Sequence, residues 1–219
     1  MGQPEHRLRL RNATPKDATA LGDIFVEAWR REHAGLLSQD VLSARSAAQS
    51  AANWSRSLTA IASGERQDQF VLLALRGSRP VGLIVVGEQA AERATGEGEV
   101  ILIQVADAHR GSGVGAALMQ AAARRLLERN VGSMIVCVLE ANASARRFYE
   151  RMGGHLLAET KDVEESGVWF PARLYHWPDL SHVRGRDSGR RVTRPRRARV
   201  RYFSAGHRGS RRPGVVTRP

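Results

Sequence analysis

The sequence predicts an α/β (α+β) protein built on a mixed, mostly antiparallel central sheet of about seven strands, with helices on both faces. Short apolar runs typical of strands are interleaved with longer segments in which apolar residues recur every three or four positions. Two apolar runs, at 99–106 and 133–139, are separated by one such helical segment. That arrangement is typical of parallel strands joined by a crossover helix, whereas the remaining short connections favour antiparallel neighbours.

The first part of the chain predicts one strand followed by two helices. Residues 7–12 alternate leucine with arginine, as an edge strand does. Thr14 and Pro15 then predict a helix start, because threonine caps helices and proline is tolerated in the first turn. This helix is expected to end near Gly35. Ser38 is expected to cap a second helix that continues to Gly64.

The second part predicts a hairpin and a set of strands that alternate with helices. The hairpin pairs 70–75 with 81–86 across a turn containing Gly77 and Pro80, and a polar loop follows at 88–98. The strand at 168–177 is expected at the sheet edge, where it could meet a second copy, so monomer and homodimer both stay open. The other predicted elements are the strand 99–106, a helix from 114 to 129, the strand 133–139, a helix at 143–152 and the strand 155–160.

The charge of the chain is concentrated at its C-terminal end. The formal net charge is +12, and residues 181–219 contain thirteen arginines and one aspartate, so that residues 1–180 are neutral. Glycine, serine and proline accompany these arginines and large apolar residues are few, which favours disorder. We therefore expect a folded domain at 1–180 and a disordered tail at 181–219. Such a tail is able to contact nucleic acid weakly through phosphates.

Composition also points to the compartment and excludes several chemistries. A single cysteine, Cys137, excludes an internal disulfide and suits a reducing cytosol, and its apolar neighbours predict a small core residue. We find no apolar stretch typical of a secretory signal and none of the roughly 20 residues that a membrane span needs. No His, Cys or carboxylate set has metal-ligand spacing, so we expect no metal. The expectation is a cytoplasmic protein without membrane contact.

A glycine-rich turn between the strand 99–106 and the next helix is the most informative motif. It contains Arg110, Gly111, Ser112, Gly113, Val114 and Gly115. Successive backbone N–H groups in such a turn, together with the positive end of a helix dipole, form a site for phosphate. The motif lacks the Gly-Lys-Ser/Thr of the P-loop and the Gly-x-Gly-x-x-Gly of dinucleotide folds. It therefore predicts a diphosphate ligand of another kind.

The order of motifs over residues 1–178 resembles the GNAT superfamily of acyl-CoA-dependent N-acyltransferases. Arg110-x-x-Gly113-x-Gly115 is followed by Asn142, the pair Phe148-Tyr149 and Gly153, which is the order of the family pattern. The segments 27–30 and 34–38 also look like the first two helices of a bacterial subgroup. The resemblance implies acetyl-CoA as acyl donor and an amine as acceptor, either a small molecule or a peptide.

The resemblance assigns roles to particular residues. The diphosphate is expected on the amides of 110–115, and the pantetheine arm along the backbone of Ile103, Gln104 and Val105. That pairing requires the central strand to part from the strand 133–139, usually after a bulge. Asn142 is expected both to cap its helix and to contact the cofactor.

Tyr149 and Glu99 are the candidate catalytic residues. A phenol with a pKa near ~10 stays protonated at neutral pH and can protonate the leaving thiolate, which suits Tyr149 as general acid. Glu99 lies where many family members carry a glutamate that acts through water, although a solvated strand-end acid is an equal alternative. Glu32 and His33 are expected to line the acceptor pocket. The base therefore stays open at this stage.

Two positions depart from the family pattern. Gly154 replaces a large aromatic residue, which costs packing unless another side chain fills the space. Asp107 stands where a proline is frequent. The acceptor amine is not predicted by the sequence. An alternative to catalysis is an inactive fold of this kind that senses CoA or associates with nucleic acid through its tail.

Overall fold

The computed structural model describes residues 7–88, 97–183 and 200–201. Short 3-10 turns precede α1, precede α4 and follow β7. The helices are α1 (Ala18–His33), α2 (Gln39–Ala44), α3 (Ala47–Ala62), α4 (Val114–Glu128) and α5 (Ala143–Arg151). The strands are β1 (Leu8–Asn12), β2 (Gln69–Arg76), β3 (Arg79–Glu88), β4 (Glu97–Val105), β5 (Ser133–Leu139), β6 (His155–Glu165), β7 (Val168–Trp177) and β8 (Val200–Arg201).

One mixed sheet organises these elements, in the order β1-β2-β3-β4-β5-β7-β6-β8. Neighbours are antiparallel except for β4 with β5 and the two-residue β8 with β6. The predicted mixed sheet with a parallel crossover through α4 is confirmed. The expectation that 168–177 forms the sheet edge is wrong, because β7 pairs with β5 on one side and β6 on the other.

The first helix begins as the sequence predicts, with one added turn. Thr14 caps a 3-10 turn at Pro15–Asp17, and α1 follows directly from it. The Asp17 carboxylate accepts hydrogen bonds from the Thr14 backbone N–H and hydroxyl and from two nitrogens of Arg11, at 2.7–2.9 Å. The arginine of β1 therefore fixes the entry to α1.

The single helix expected from Ser38 to Gly64 is wrong, because two helices occupy that range. Ser38 caps α2 as predicted, and a second cap, Ser46, accepts a hydrogen bond from the Gln49 N–H at 3.3 Å to start α3. Between them Arg45 is extended, with ψ 109°. A serine that offers its side chain to the backbone competes with helix continuation, which accounts for the break.

Each face of the sheet carries its own core. Helices α4 and α5 cover one face, where Leu118, Leu126 and Tyr175 are fully or almost fully buried. Helices α1 and α3 cover the other face, with Leu21 and Leu58 at its centre. The helices are thus on both sides of the sheet, as expected.

A bulge in β4 opens the middle of the sheet. Val86 pairs with Val100 and Val85 pairs with Leu102, so Ile101 is an extra residue on β4. Parallel pairing of β4 with β5 covers only 97–100 against 133–136. Beyond Val100 the two strands no longer pair, and this is the separation that the family resemblance implies.

The structure describes little of the C-terminal region. Leu180 and Val183 are buried, so the described fold continues slightly past the predicted domain boundary at 180. Residues 184–199 and 202–219, on which most of the predicted disordered tail falls, lie outside the described residues, whereas Val200–Arg201 pair with Val163 and Glu164 of β6. Every described helix is too short or too polar to cross a membrane.

Candidate active site

A cleft of about 1420 Å³ occupies the gap where β4 and β5 separate. One end is formed by the glycine-rich turn, the start of α4 and α5. The other end is formed by the last turns of α1, the α2–α3 connection and the end of β6. Cys137 of β5, which is 9% exposed, lies in the wall between them, so its predicted burial is confirmed and it also faces the cleft.

The glycine-rich turn adopts the backbone that its sequence predicts. Gly111 and Gly113 have φ of +73° and +84°, in the left-handed region that favours glycine. A Cβ added at either position would meet no heavy atom within 4 Å, so both face open space. The Ser112 hydroxyl donates to the His109 carbonyl at 2.6 Å and holds the turn closed on its other side. The N-terminal amides of α4 therefore border an open space suited to an anion.

Gly115 is required for a different reason. A Cβ there would lie 3.3 Å from the Phe148 ring, so the glycine lets α5 pack closely on the start of α4. Val114 is 1% exposed and belongs to the core. Neither Val114 nor Ser112 is among the residues whose atoms line the cleft, whereas Gly111, Gly113 and Gly115 are.

A polar contact joins the glycine-rich turn to α5, and a second contact caps that helix. Arg110 donates from Nη2 to the Ser144 hydroxyl at 3.1 Å and remains 44% exposed at its side chain. Asn142 caps α5 by accepting a hydrogen bond from the Ala145 N–H at 3.0 Å, as predicted. Both Arg110 and Asn142 line the cleft, so the cationic group and the cap amide share one end of it.

The outer part of β4 forms a side wall of the cleft through Ile103, Gln104 and Val105. This edge of β4 is not paired with β5, so its backbone is available to an extended ligand. Gln104 is 3% exposed, and its Oε1 atom has no hydrogen-bond partner among the described residues. A buried acceptor without a partner costs stability, which a bound donor would recover.

Tyr149 lies in α5 and also lines the cleft. It is 5% exposed and packs on Phe148, Tyr175 and Trp177, with ring centroids 5.4–6.0 Å apart. Burial raises the pKa of the Tyr149 phenol above its ordinary value, and the neighbouring Glu32 and Cys137 raise it further. The phenol is therefore held protonated at neutral pH.

Glu99 and Glu32 have different relations to the cleft. Glu99 precedes the β4 bulge, with Gly87 and Ile135 as its strand partners, and is not among the cleft-lining residues. Glu32 lies in the last turn of α1 and lines the cleft. Burial raises the pKa of Glu32 to about 7, although the charges of Arg31 and Arg110 lower it.

His33 also lines the cleft, as expected, and is almost fully buried. Its Nδ1 lies 2.8 Å from the Trp29 carbonyl, which can only accept, so Nδ1 carries the proton and Nε2 holds a lone pair. Burial lowers the pKa of His33, which favours the neutral ring. Its ring stacks on Trp29 at 4.7 Å and packs edge-on against Phe170 at 6.4 Å.

Aromatic rings and one ion pair form the far end of the cleft. Arg45 lies 3.9 Å over the Trp29 ring and pairs with Glu165 of β6 at 2.7 Å. Phe25 and Trp54 meet edge to face at 6.3 Å. The indole N–H groups of Trp29 and Trp54 are buried without a hydrogen-bond partner among the described residues. Arg45, Glu165 and Trp54 were not predicted from the sequence as site residues, and Trp29 stood only within the segment 27–30, without a role of its own.

The two departures from the family pattern each have a structural explanation. A Cβ at Gly154 would lie 2.7 Å from Trp177, whose indole occupies the space and donates to the Met152 carbonyl at 2.9 Å. The Trp177 indole therefore fills the space that the missing aromatic side chain was expected to leave empty. Asp107 forms an ion pair with Arg31, and its backbone N–H donates to Glu27 at 3.3 Å. These contacts connect the end of α1 to the segment that leads into the glycine-rich turn.

No cluster of three or more His, Cys, Asp or Glu side chains suited to a metal ion occurs within residues 7–88, 97–183 and 200–201. The cleft is lined instead by the glycine-rich turn, by apolar and aromatic side chains, and by the ionisable groups of Glu32, His33 and Tyr149.

Comparison with known proteins finds chains of similar sequence and structures of similar fold. The chain is 28% identical over 176 residues to YuaI, an uncharacterized N-acetyltransferase of Bacillus subtilis strain 168, covering 80% of this chain and 95% of YuaI. PaiA N-acetyltransferase of Thermoplasma acidophilum, solved in complex with coenzyme A, superposes with a TM-score of 0.58 at 17% identity, covering 76% of this chain and 98% of its own. YncA of Salmonella typhimurium, solved with its cofactor acetyl-CoA, gives 0.57 at 16% identity, covering 83% and 99%.

The structural similarities, at these identities, establish the fold. The family assignment comes from the model of the acetyltransferase (GNAT) family, which matches residues 21–154. That range runs from the first turns of α1 to Gly154, so it includes the β4 bulge, the glycine-rich turn and Tyr149. The chain belongs to the acetyltransferase (GNAT) family.

Proposed function

We propose that the protein transfers an acetyl group from acetyl-CoA to a primary amine by direct attack within a ternary complex. The observation that supports this most strongly is the continuity of the cleft. It runs from the open left-handed glycines at 111 and 113, past the unpaired edge of β4, to the buried phenol of Tyr149.

The donor end suits the three parts of acetyl-CoA. The amides of Gly111, Gly113 and Gly115 would hold the diphosphate, with Arg110 adding a positive charge. The free backbone of 103–105 would pair with the amides of the pantetheine arm as an added strand does. Asn142 would contact the same arm. The acetyl group would then lie in the gap between β4 and β5.

The reaction requires one bond to form and one to break at the acetyl carbon. The amine nitrogen attacks the thioester carbonyl to form the C–N bond, and the C–S bond then breaks to release a thiolate. Tyr149 would donate its phenolic proton to that sulfur as general acid. Burial raises the pKa of this phenol, so it carries the proton at pH 7.

Thiol release from acetyl-CoA against a library of primary amines tests the proposed function. Tyr149→Phe is expected to lower kcat by about 10²- to 10⁴-fold, the usual contribution of a general acid, with little change in coenzyme A affinity. Tyr175→Phe is the matched control, since this hydroxyl contacts Glu150 at 2.7 Å and lies outside the cleft. Equal turnover of the Tyr149→Phe variant and the wild type would remove Tyr149 from the mechanism.

A further inference from the structure

Glu32 is held in the cleft by contacts on both sides of its position in the chain. Preceding it, Arg31 pairs with Asp107 of the 3-10 turn that leads into the glycine-rich turn, and Glu27 accepts a hydrogen bond from the backbone N–H of Asp107. Following it, His33 bonds back to the Trp29 carbonyl and packs against Phe170. The last turn of α1 is therefore fastened to the turn and to β7, and its position relative to the cleft is fixed.

The charged groups near Glu32 come from three elements. Arg31 of its own helix lies 3.7 Å from the Glu32 carboxylate, and the charges of Arg110 in the glycine-rich turn and of Asp107 just before that turn also act on it. Across the cleft, Glu32 is near enough to Tyr149 of α5 for its charge to disfavour the phenolate. Glu32 and the proposed general acid Tyr149 both line the cleft.

A reacting amine needs a proton acceptor at this place. Primary amines are protonated at neutral pH and have no lone pair for attack until one proton leaves. Glu99, which the sequence analysis selected for this task, is not in the lining of the cleft. We propose that Glu32, rather than Glu99, accepts the proton of the attacking amine, an assignment that rests on the proposed acetyltransferase function.

Every proton is accounted for in the reaction steps that this assignment implies. The ammonium group loses one proton to the Glu32 carboxylate, which passes it to solvent, and the neutral nitrogen attacks the thioester. As the C–S bond breaks, the sulfur takes the proton of Tyr149, and the second nitrogen proton restores the phenol. One proton is released per acetyl group transferred. Because burial raises the pKa of Glu32 to about 7, the carboxyl group changes charge within the working pH range.

The test compares the pH dependence of kcat/KM for the wild type, Glu32→Gln and Glu99→Gln, with the exposed Glu65→Gln as control. The wild type should lose activity below about pH 7 with the slope of a single proton. Glu32→Gln should lose about 10²-fold or more at pH 7.5 and lack this acid limb. Coenzyme A affinity, measured by calorimetry, should be unchanged and would show that the variant is folded.

A second readout separates proton acceptance from a structural role. An arylamine is already neutral at pH 7, so the loss caused by Glu32→Gln should shrink to less than about threefold with such an acceptor. A wild-type acid limb that persists in Glu32→Gln overturns the proposal, as does a loss confined to Glu99→Gln, while both leave the acetyltransferase function standing. A chain that releases no thiol with any amine contradicts the function itself, and the role of Glu32 with it.

Discussion

Gly113 has a left-handed backbone conformation, so an alanine at this position would strain the glycine-rich turn without causing a steric clash. An alanine there would have φ near +84° and its Cβ would meet no heavy atom within 4 Å. A residue with a Cβ pays roughly 1–2 kcal/mol in this region. The lower entropy of unfolded alanine offsets about 0.4–1 kcal/mol of this. Gly113→Ala should therefore destabilise by about 1 kcal/mol, which lowers Tm by about 2–4 °C at this chain length.

The effect on ligand binding should be larger than the effect on stability. Relief of the strain would rotate the amides at the start of α4 away from the diphosphate. A hydrogen bond to a charged group contributes about 1.5–3 kcal/mol, and each 1.4 kcal/mol is tenfold in affinity. Loss of one such bond predicts about 10- to 100-fold weaker binding of coenzyme A to Gly113→Ala in isothermal titration calorimetry.

Gly167 provides a matched control in the turn between β6 and β7. Its φ is +80°, and a Cβ added there also meets nothing within 4 Å. Gly167→Ala should thus lower Tm by the same few degrees and leave the affinity for coenzyme A unchanged. Unweakened binding by Gly113→Ala, or equal weakening by both variants, would refute the assignment of the diphosphate to this turn.

Three further predictions concern stability. Asp17, whose pKa is lowered to about 2 mainly by hydrogen bonds from Arg11, should stabilise the fold fully above about pH 4 and lose this effect as pH falls through 2. Asp17→Asn should therefore lower Tm by several degrees at pH 7 but not below pH 2, in melting curves followed by circular dichroism. Because the pKa of Glu32 is raised, ionisation of this carboxyl group should destabilise the fold increasingly from about pH 4.5 to 7. Glu32→Gln should therefore raise the free energy of unfolding by about 1–3 kcal/mol at pH 8 and change it little at pH 4, measured by urea unfolding. Gly154→Ala should lower the free energy of unfolding by about 1–3 kcal/mol, because the added Cβ would clash with Trp177. Gly132→Ala, where the added Cβ meets open space, should change it by less than about 0.5 kcal/mol. Equal effects of the two substitutions would contradict the packing of Trp177 on Gly154.

Local patterns were sufficient for most elements of the fold. The strands predicted at 133–139 and 168–177 have the bounds of β5 and β7. In β5 the five residues 134–138 are all apolar and buried, as expected of a central strand. Patterns were insufficient where distant contacts decide. The place of β7 inside the sheet depends on its pairing with β5 on one side and β6 on the other, which the sequence of β7 alone does not show.

The two ends of the candidate site differ in the same way. The donor end is a short continuous segment whose glycines show the required backbone directly, so its position could be predicted from sequence. The far end of the cleft is assembled from α1, the α2–α3 connection and β6, and no spacing rule in the sequence relates these segments. Glu32 was therefore predicted to line a pocket but not to share it with Tyr149. The packing of Trp177 into the space at Gly154 could not be predicted either, because the two residues lie on different elements.

A crystal structure of the protein with acetyl-CoA would test the account most directly. It should show the diphosphate within hydrogen-bond distance of the backbone amides at 111–115, and the acetyl carbon between β4 and β5 beside Tyr149 and Glu32. A diphosphate bound elsewhere, or a thioester outside the gap between the two strands, would contradict it.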